Sequence, residues 1–394
     1  MWIIFFVYFI IVSTIFVPFK VPDQWFVPKE AAFFVIGIIY IFSSYIVDNR
    51  KNFRFKNKWI FAAAVYTLIM FFFSFYAPIV FNNGLGYELH VWNLRPTLNF
   101  IVGVLLIQTL VENTDSFKRW IDLSRIMAWM GFLVSCYSII QWIGIDPFIN
   151  LSKYRYIFRN SIFEQNIMMI GFLGNKMLTS NYIAVLSPMC LLFKELRYKI
   201  FYIVMFLAVI LTDTTVSFFV FVTGFLMFLL ISGRVKDFIF YIFSGGVILG
   251  LICAIYSNFL STTGRFSLWV EIIKDWAGNG RSFFGSGLGG FAASGFSSGG
   301  KKVLQAHNEF LQIPYDGGIP ILVIFIGFLS YLFYRLFLVY KQERTALFTV
   351  YTSAFIGYLI LCFGSFPLRI APLALIGIIY IACLETLILN REIK

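Results

Sequence analysis

The chain has 394 residues, of which 60% are hydrophobic, 20% are aromatic and 13% are charged. Ordinary globular proteins have about 25% charged residues, so this composition excludes a secreted enzyme, a nucleic-acid-binding protein and a disordered scaffold. The formal net charge of +12 at pH 7 must lie in the connections between apolar segments, where it bears on topology and on anionic partners.

Apolar runs along the chain predict an all-α integral membrane protein, a bundle of about twelve transmembrane helices. A helix needs roughly 20 apolar residues to cross the hydrocarbon core of a bilayer. The predicted spans, in chain order, are 1–19, 31–47, 59–81, 97–111, 126–145, 172–193, 200–213, 215–231, 238–257, 319–339, 346–363 and 371–389. The division of the seventh from the eighth span depends on Asp213, which interrupts the apolar sequence.

Lysine and arginine residues favour a topology in which both termini are cytoplasmic. Cytoplasmic loops carry an excess of these residues, and the even-numbered connections are the basic ones here, as at 50–58, 118–125 and 194–199. Two connections on the outer side break this pattern, because 146–171 and 258–318 are also basic. An anionic ligand at the outer membrane face is the simplest reason for positive charge placed there.

The sequence is expected to divide into four regions on this topology. They are the first helices with the first basic outer loop at 1–171, central helices at 172–257, an outer catalytic loop at 258–318, and the last helices with a cytoplasmic tail at 319–394. The outer loop is large compared with the other connections, so it is the first place to search for chemistry.

An amphipathic helix is predicted inside this outer loop, from Gly264 to Trp276, where apolar residues recur at helical spacing. The apolar positions are Phe266, Trp269, Val270 and Ile273, and the charged positions opposite them are Glu271, Lys274 and Asp275. Such a helix lies at the membrane interface or packs over the bundle. The glycine- and serine-rich passage that follows, 278–300, is too polar for a membrane span.

His307 is a stronger candidate for catalysis than the other histidine of the chain, His90. His90 lies in a short outer connection between aromatic residues, and we interpret it as an interfacial polar residue. His307 is followed by Asn308 and Glu309, with Asp316 beyond. An imidazole has an unperturbed pKa of about 6.5, which suits a general base, and a neighbouring carboxylate could orient it. The alternative is that His307 caps a helix or lies at the interface.

Arginines in the two basic outer loops are candidates for holding a pyrophosphate, because a guanidinium stays charged and matches phosphate oxygens with two donors. They are Arg155 and Arg159 in the first loop, and Arg265 and Arg281 on either side of the predicted helix. Together with His307 they could hold a pyrophosphate and deprotonate a hydroxyl beside it. Each arginine by itself could equally be a headgroup contact or a solvated charge.

The sixth apolar run begins with polar residues, among them Asn175, Lys176 and Asn181. Polar groups at membrane depth are costly and usually line a cavity, so these residues could cap a broken helix that faces the site. The alternative is a helix that simply begins later, near Thr179. No cluster with metal-ligand spacing and no phosphate-binding loop is present in the sequence, so we expect no metal and no other cofactor. The glycine-rich 285–291 is interpreted as a turn or a flexible joint.

Three segments of the second half resemble the O-antigen ligase and O-antigen polymerase superfamily. They read GRFSLWVEIIKDW, FFGSGLGGF and AHNEFLQIPYDGGIPILVIFIGF, and the earlier LGNKMLTSNYIAVLSP resembles an asparagine-rich segment of that family. Members are bacterial integral-membrane glycosyltransferases with a large periplasmic loop. The likeness extends over roughly 170–340, and the first half of the chain matches in hydropathy alone.

The resemblance implies a metal-independent, inverting transfer of a glycan from an undecaprenyl-pyrophosphate carrier, at the periplasmic face of the bacterial inner membrane. It implies that His307 is the base that activates the acceptor hydroxyl and that Arg265 contacts the pyrophosphate. Asn308 or Asp316 would orient the base. The implied partners are the lipid-linked oligosaccharide, an acceptor glycolipid, membrane lipids and a chain-length regulator, with no nucleic acid.

The resemblance leaves the acceptor open. A polymerase transfers to the next lipid-linked repeat unit and a ligase transfers to lipid A–core; we favour the polymerase. Where many ligases have a Ser/Thr-Arg pair, this chain has Asp213 to Thr215 without an arginine. Either Arg155, Arg159 or Arg281 replaces that phosphate contact, or acceptor and mechanism differ. A transporter or flippase of lipid-linked sugars is the alternative from another class, and an inactive polysaccharide-binding relative is a third.

Overall fold

The structure is a computed structural model. It describes residues 2–14, 26–47, 57–81, 86–113, 117–145, 169, 171–233, 265–278, 282–285, 287, 290–293, 296–298, 301–303, 305–342 and 344–392. The predicted ninth span at 238–257 and the outer connection at 146–168 therefore lie outside the described residues.

The described chain is almost entirely α-helical, as its composition predicts. The helices are α1 Trp2–Thr14, α2 Phe26–Val47, α3 Lys58–Phe81, α4 Gly86–Asn113, α5 Phe117–Trp142, α6 Lys176–Leu186, α7 Leu196–Leu211, α8 Thr215–Ile231, α9 Arg265–Gly278, α10 Gly290–Ala293, α11 Glu309–Gln342, α12 Ala346–Gly364 and α13 Ala371–Glu392. Single 3-10 turns occur at Gly171–Leu173, Ser187–Leu192 and Pro367–Arg369. Two short antiparallel strands, β1 Ser297–Ser298 and β2 Lys301–Lys302, pair in the outer loop.

The helices are those of an all-α membrane protein. Among the described residues, α2, α5, α11, α12 and α13 are long and apolar enough to cross a membrane. The separation of α7 from α8 is confirmed, because the backbone breaks at Asp213, whose φ is 48°. That twelve helices cross the membrane stays a prediction.

Helices α12 and α13 form the centre of the bundle. Both are largely buried, and α12 packs against α8 while α13 packs against α4 and α12. Gly357 of α12 allows the close approach, since an added Cβ would lie 3.3 Å from the carbonyl oxygen of Val220 in α8. Small residues at helix contacts are how membrane helices gain packing without a hydrophobic driving force between them.

Helix α11 is two helical pieces joined at a kink. Gly318 has φ 70° and ψ −168°, between Pro314 and Pro320. A proline removes a backbone donor and clashes with the preceding turn, and glycine accepts a left-handed φ without a Cβ penalty. The predicted span at 319–339 is therefore preceded by a separate buried piece at 309–317, which the sequence analysis did not anticipate.

Helix α9 confirms the predicted helix of the outer loop. Its predicted apolar face is not covered by the protein, since Phe266, Val270 and Ile273 are 53%, 36% and 48% exposed. Leu268 and Ile272 are buried in a small apolar cluster with Phe291, Ala306 and Tyr315. The outer loop covers this second set of apolar residues, and the predicted face remains open to the membrane interface.

Candidate functional site

Arg265 and His307 come together at the connection between α12 and α13. Arg265 opens α9, and its Nη1 donates to the carbonyl oxygen of Gly364 at 3.0 Å. Its Nη2 lies 3.7 Å from the sulfur of Met177, in the first turn of α6. The imidazole of His307 packs edge-on against Phe366, with ring centroids 5.1 Å apart. The two residues singled out by the sequence therefore share residues 364–366 as their support.

His307 is held in an uncommon backbone conformation directly before α11. Its φ is 53°, a left-handed value that is rare for residues other than glycine and that tends to occur at functional sites. Asn308 begins the helix, because its Oδ1 accepts the backbone N–H of Phe310 at 2.9 Å. The Nδ1 of His307 is buried without a hydrogen-bond partner among the described residues, so no protein group fixes which ring nitrogen carries the proton.

Electrostatics keep the imidazole neutral. Burial and the positive charge of Arg265 together lower the pKa of His307 from 6.5 to about 4. Burial also lowers the pKa of Arg265 below its ordinary value, which still leaves the guanidinium charged near neutral pH. The site thus holds a cation beside an imidazole that is unprotonated at neutral pH. The low pKa also makes this imidazole a weaker base than an ordinary histidine, and an anionic group bound by Arg265 would raise it towards the operating pH.

Asp316 does not contact His307 but belongs to a buried cluster with Arg369 and Glu309. Its Oδ2 accepts from Nη2 of Arg369 at 2.7 Å, and its Oδ1 accepts the N–H of Phe291 at 2.8 Å. The Nε of Arg369 lies 3.6 Å from Oε2 of Glu309. Burial by itself would lower the pKa of Arg369, but Asp316 and Glu309 raise it above its ordinary value.

This cluster fastens the α12–α13 connection to α11. Oε1 of Glu309 accepts the backbone N–H of Leu368 at 3.0 Å, next to the Phe366 that supports His307. The sequence analysis named Glu309 as a neighbour of the histidine and did not predict its pairing with Arg369. A buried charge needs a partner. The position of Arg369 in a short connection between two predicted spans was therefore the one feature of the sequence that could have indicated a buried ion pair.

The glycine-rich segment after α9 binds the kink of α11. The carbonyl oxygen of Asp316 accepts the N–H of Gly287 at 2.8 Å, and Ser282 accepts the N–H of Ile319 at 2.9 Å. Gly285 and Gly318 both have positive φ at this contact. The described part of 285–291, interpreted from sequence as a turn or flexible joint, is thus bonded to the helix that carries Asp316.

Replacing Gly318 with alanine is expected to lower the free energy of unfolding by roughly 1–3 kcal/mol. Its φ is +70°, and an added Cβ would lie 2.2 Å from the carbonyl oxygen of Phe283. Thermal unfolding in detergent measures the loss, and limited proteolysis of the outer loop reports its release. Gly278→Ala is the matched control, because nothing lies within 4 Å of its added Cβ. Equal melting of both variants would contradict the role of the contact.

The polar start of α6 has two separate functions. Asn175 caps the helix, since its Oδ1 accepts the backbone N–H groups of Met177 and Leu178, so a helix starting near Thr179 is wrong. Asn181 is buried and lies between two other elements: its Nδ2 donates to Ser365 at 3.2 Å and its Oδ1 accepts from Ser217 at 2.7 Å.

Hydroxyl groups flank Asp213 in the connection between α7 and α8. Thr212 and Thr214 donate to Oγ of Ser180 at 2.7 and 2.6 Å, while Asp213 between them is exposed. Among the described residues, Arg265 is the cation beside His307. The segment around Asp213 therefore stabilises the contact between α6 and α8 and adds no positive charge.

Other residues selected from the sequence have different outcomes. Arg155, Arg159 and Arg281 lie outside the described residues, so their roles stay predictions. Lys176 is half-buried in the first turn of α6, and its binding role also stays a prediction. The backbone of His90 belongs to α4, and its position at the membrane interface stays a prediction.

No protein-family model matches this chain, and no curated protein sequence matches it. The resemblance to the O-antigen ligase and polymerase superfamily therefore rests on the motifs quoted above. The functional argument is carried by the geometry around His307 and Arg265.

Proposed function

We propose that the protein is a membrane glycosyltransferase that transfers a glycan from an undecaprenyl-pyrophosphate carrier to a sugar hydroxyl. The reaction would occur at the periplasmic face of the bacterial inner membrane, with a second lipid-linked repeat unit as acceptor. His307 is the base, Arg265 contacts the pyrophosphate, and no metal or nucleotide takes part in the proposed step.

The juxtaposition of His307 and Arg265 is the observation that carries this proposal. The two residues are 42 positions apart in the sequence and meet at residues 364–366. One provides a neutral imidazole, and the other provides a fixed positive charge. A glycosyl transfer from a pyrophosphate needs both, because a proton leaves the acceptor while negative charge develops on the leaving group.

In the proposed step, the acceptor oxygen forms a bond to the anomeric carbon of the donor as the imidazole of His307 takes its proton. The bond from that carbon to the phosphate oxygen breaks, and its electron pair leaves with undecaprenyl pyrophosphate. Arg265 stabilises the charge on this leaving group. Attack from the face opposite the leaving group inverts the anomeric configuration. Holding both lipid-anchored reactants at one surface removes much of the entropic barrier.

The test is an assay of the purified protein in detergent or lipid, without added nucleotide or metal. The substrate is an undecaprenyl-pyrophosphate oligosaccharide of the native repeat, with and without lipid A–core, and the products are resolved by gel and mass spectrometry. A ladder from the donor alone is the expected result. One transfer that requires lipid A–core would identify a ligase. A donor that stays intact in every condition would overturn the proposal and favour a transporter.

A further inference from the structure

A second candidate site lies at the opposite end of the bundle from His307. Helix α7, from Leu196 to Leu211, is about 24 Å long. The residue after its last turn, Thr212, donates to Ser180 of α6, so this end of α7 lies on the side of the bundle where α6 meets Arg265. At its other end, a groove of about 540 Å³ opens between α7, the end of α8 and the 3-10 turn 187–192. This volume falls within the range of ordinary ligand pockets.

The walls of the groove are apolar and its rim is cationic. The apolar and aromatic lining residues are Cys190, Leu191, Phe193, Tyr198, Tyr202, Ile203, Phe225 and Phe228. Lys194 and Lys199 supply the charge. Ile203 is exposed one turn along the same face of α7 as Lys199, so the groove continues into a surface suited to lipid.

The two lysines are uncompensated among the described residues. The nearby carboxylates already have arginine partners: Asp122 pairs with Arg125 at 2.9 Å, and Glu195 pairs with Arg197 at 3.7 Å. Those arginines also pack on aromatic rings of the groove wall, Phe193 and Tyr198. Lys194 and Lys199 are both exposed, and among the described residues no carboxylate pairs with them, so their charge is open to an anion from the surroundings.

Tyr202 also lines the groove, but its hydroxyl is buried away from solvent, so the ring is what it presents to a ligand. The ligand that fits this lining has an anionic head for the two lysines and an apolar tail for the walls.

We propose that this groove binds an anionic phospholipid, with its phosphate on Lys194 and Lys199 and an acyl chain along Ile203 and Phe225. The basic connections place this end of the bundle on the cytoplasmic side, where anionic lipids meet basic pockets between helices. The site is independent of the proposed glycosyl transfer, because it lies at the other membrane face.

Binding of phosphatidylglycerol by the purified full-length protein in neutral detergent tests the proposal, with native mass spectrometry as the readout. The probes are phosphatidylglycerol, phosphatidylcholine with the same acyl chains, and inorganic phosphate. Lys194→Gln with Lys199→Gln is expected to weaken phosphatidylglycerol binding by about 25-fold, since each lysine near a lipid headgroup contributes roughly fivefold. Lys58→Gln with Lys341→Gln removes the same charge elsewhere and should change binding by less than about twofold.

Three results would overturn the proposal. The first is equal weakening by both double variants, which would indicate a general charge effect. The second is phosphatidylcholine binding as tightly as phosphatidylglycerol. The third is inorganic phosphate displacing the lipid, which would indicate an anion site without a lipid tail. None of these outcomes depends on transferase activity.

Discussion

Replacing His307 with alanine is expected to lower the rate of glycan transfer by about 10²- to 10⁴-fold, the usual contribution of a positioned general base. The imidazole is the neutral acceptor beside Arg265, and the described residues provide no second histidine at this position. The measurement is single-turnover product formation with saturating lipid-linked donor. Donor affinity should change less than the rate, because Arg265 remains in place.

The variant His307→Asn separates catalysis from backbone strain. The φ of 53° at this position is tolerated better by asparagine than by alanine, so the asparagine variant should melt like the parent while remaining inactive. His90→Ala is the matched control, because it removes the other histidine of the chain. Full activity in His307→Asn would contradict the assignment of the base.

The pH profile is expected to carry the signature of His307. Since burial and Arg265 lower the pKa of His307 to about 4, the imidazole stays neutral down to that pH, and activity should fall only as pH drops through it. An unperturbed histidine would lose activity near pH 6.5. An acidic limb at that higher value would show that neither burial nor Arg265 perturbs the imidazole in solution.

Replacing Arg369 with glutamine is expected to lower the free energy of unfolding by about 3–5 kcal/mol, the usual cost of leaving a buried charge without its partner. Asp316 and Glu309 are both buried against Arg369, and the variant leaves two carboxylates facing each other. Denaturant unfolding in detergent, followed by tryptophan fluorescence, measures the loss. Activity should fall as well, because the α12–α13 connection supports His307 through Phe366.

Adding Asp316→Asn to Arg369→Gln is expected to recover much of this stability, since it removes one of the unpaired charges. Arg125→Gln is the matched control. Arg125 pairs with Asp122 at 2.9 Å, and the two side chains are 47% and 35% exposed. Because solvent screens this pair, the loss should stay below about 1 kcal/mol. Comparable destabilisation by Arg125→Gln, or no rescue by the asparagine, would show that the buried pairing does not hold the connection.

The amphipathic pattern of α9 shows how far periodicity reaches. It correctly predicts a helix from Arg265, because apolar residues recur every three to four positions. It identifies Phe266 and Val270 as part of an apolar face, which the protein leaves exposed, but it does not identify Leu268 and Ile272 as the residues that the protein buries. The helix has two sets of apolar residues, and periodicity does not tell which set the rest of the outer loop covers.

The candidate base and its cation could be found from the sequence, because a histidine and arginines in a basic outer loop are unusual for a chain so poor in charge. The polar residues of α6 were recognised too, but not their partners. Asn181 bonds to Ser365, which is 184 positions away. Such contacts follow from helix packing, on which local spacing carries no information.

Composition and hydropathy by themselves determined an all-α membrane protein and nearly every described helix, because a long apolar run has few other ways to satisfy its backbone hydrogen bonds in a bilayer. The tertiary structure alone decided which charges meet. Asp316 and Arg369 are 53 positions apart and share a bond of 2.7 Å. The kink at Gly318 separates the buried piece that carries Asp316 from the following helix, and burial forces each charge on that piece to find a partner.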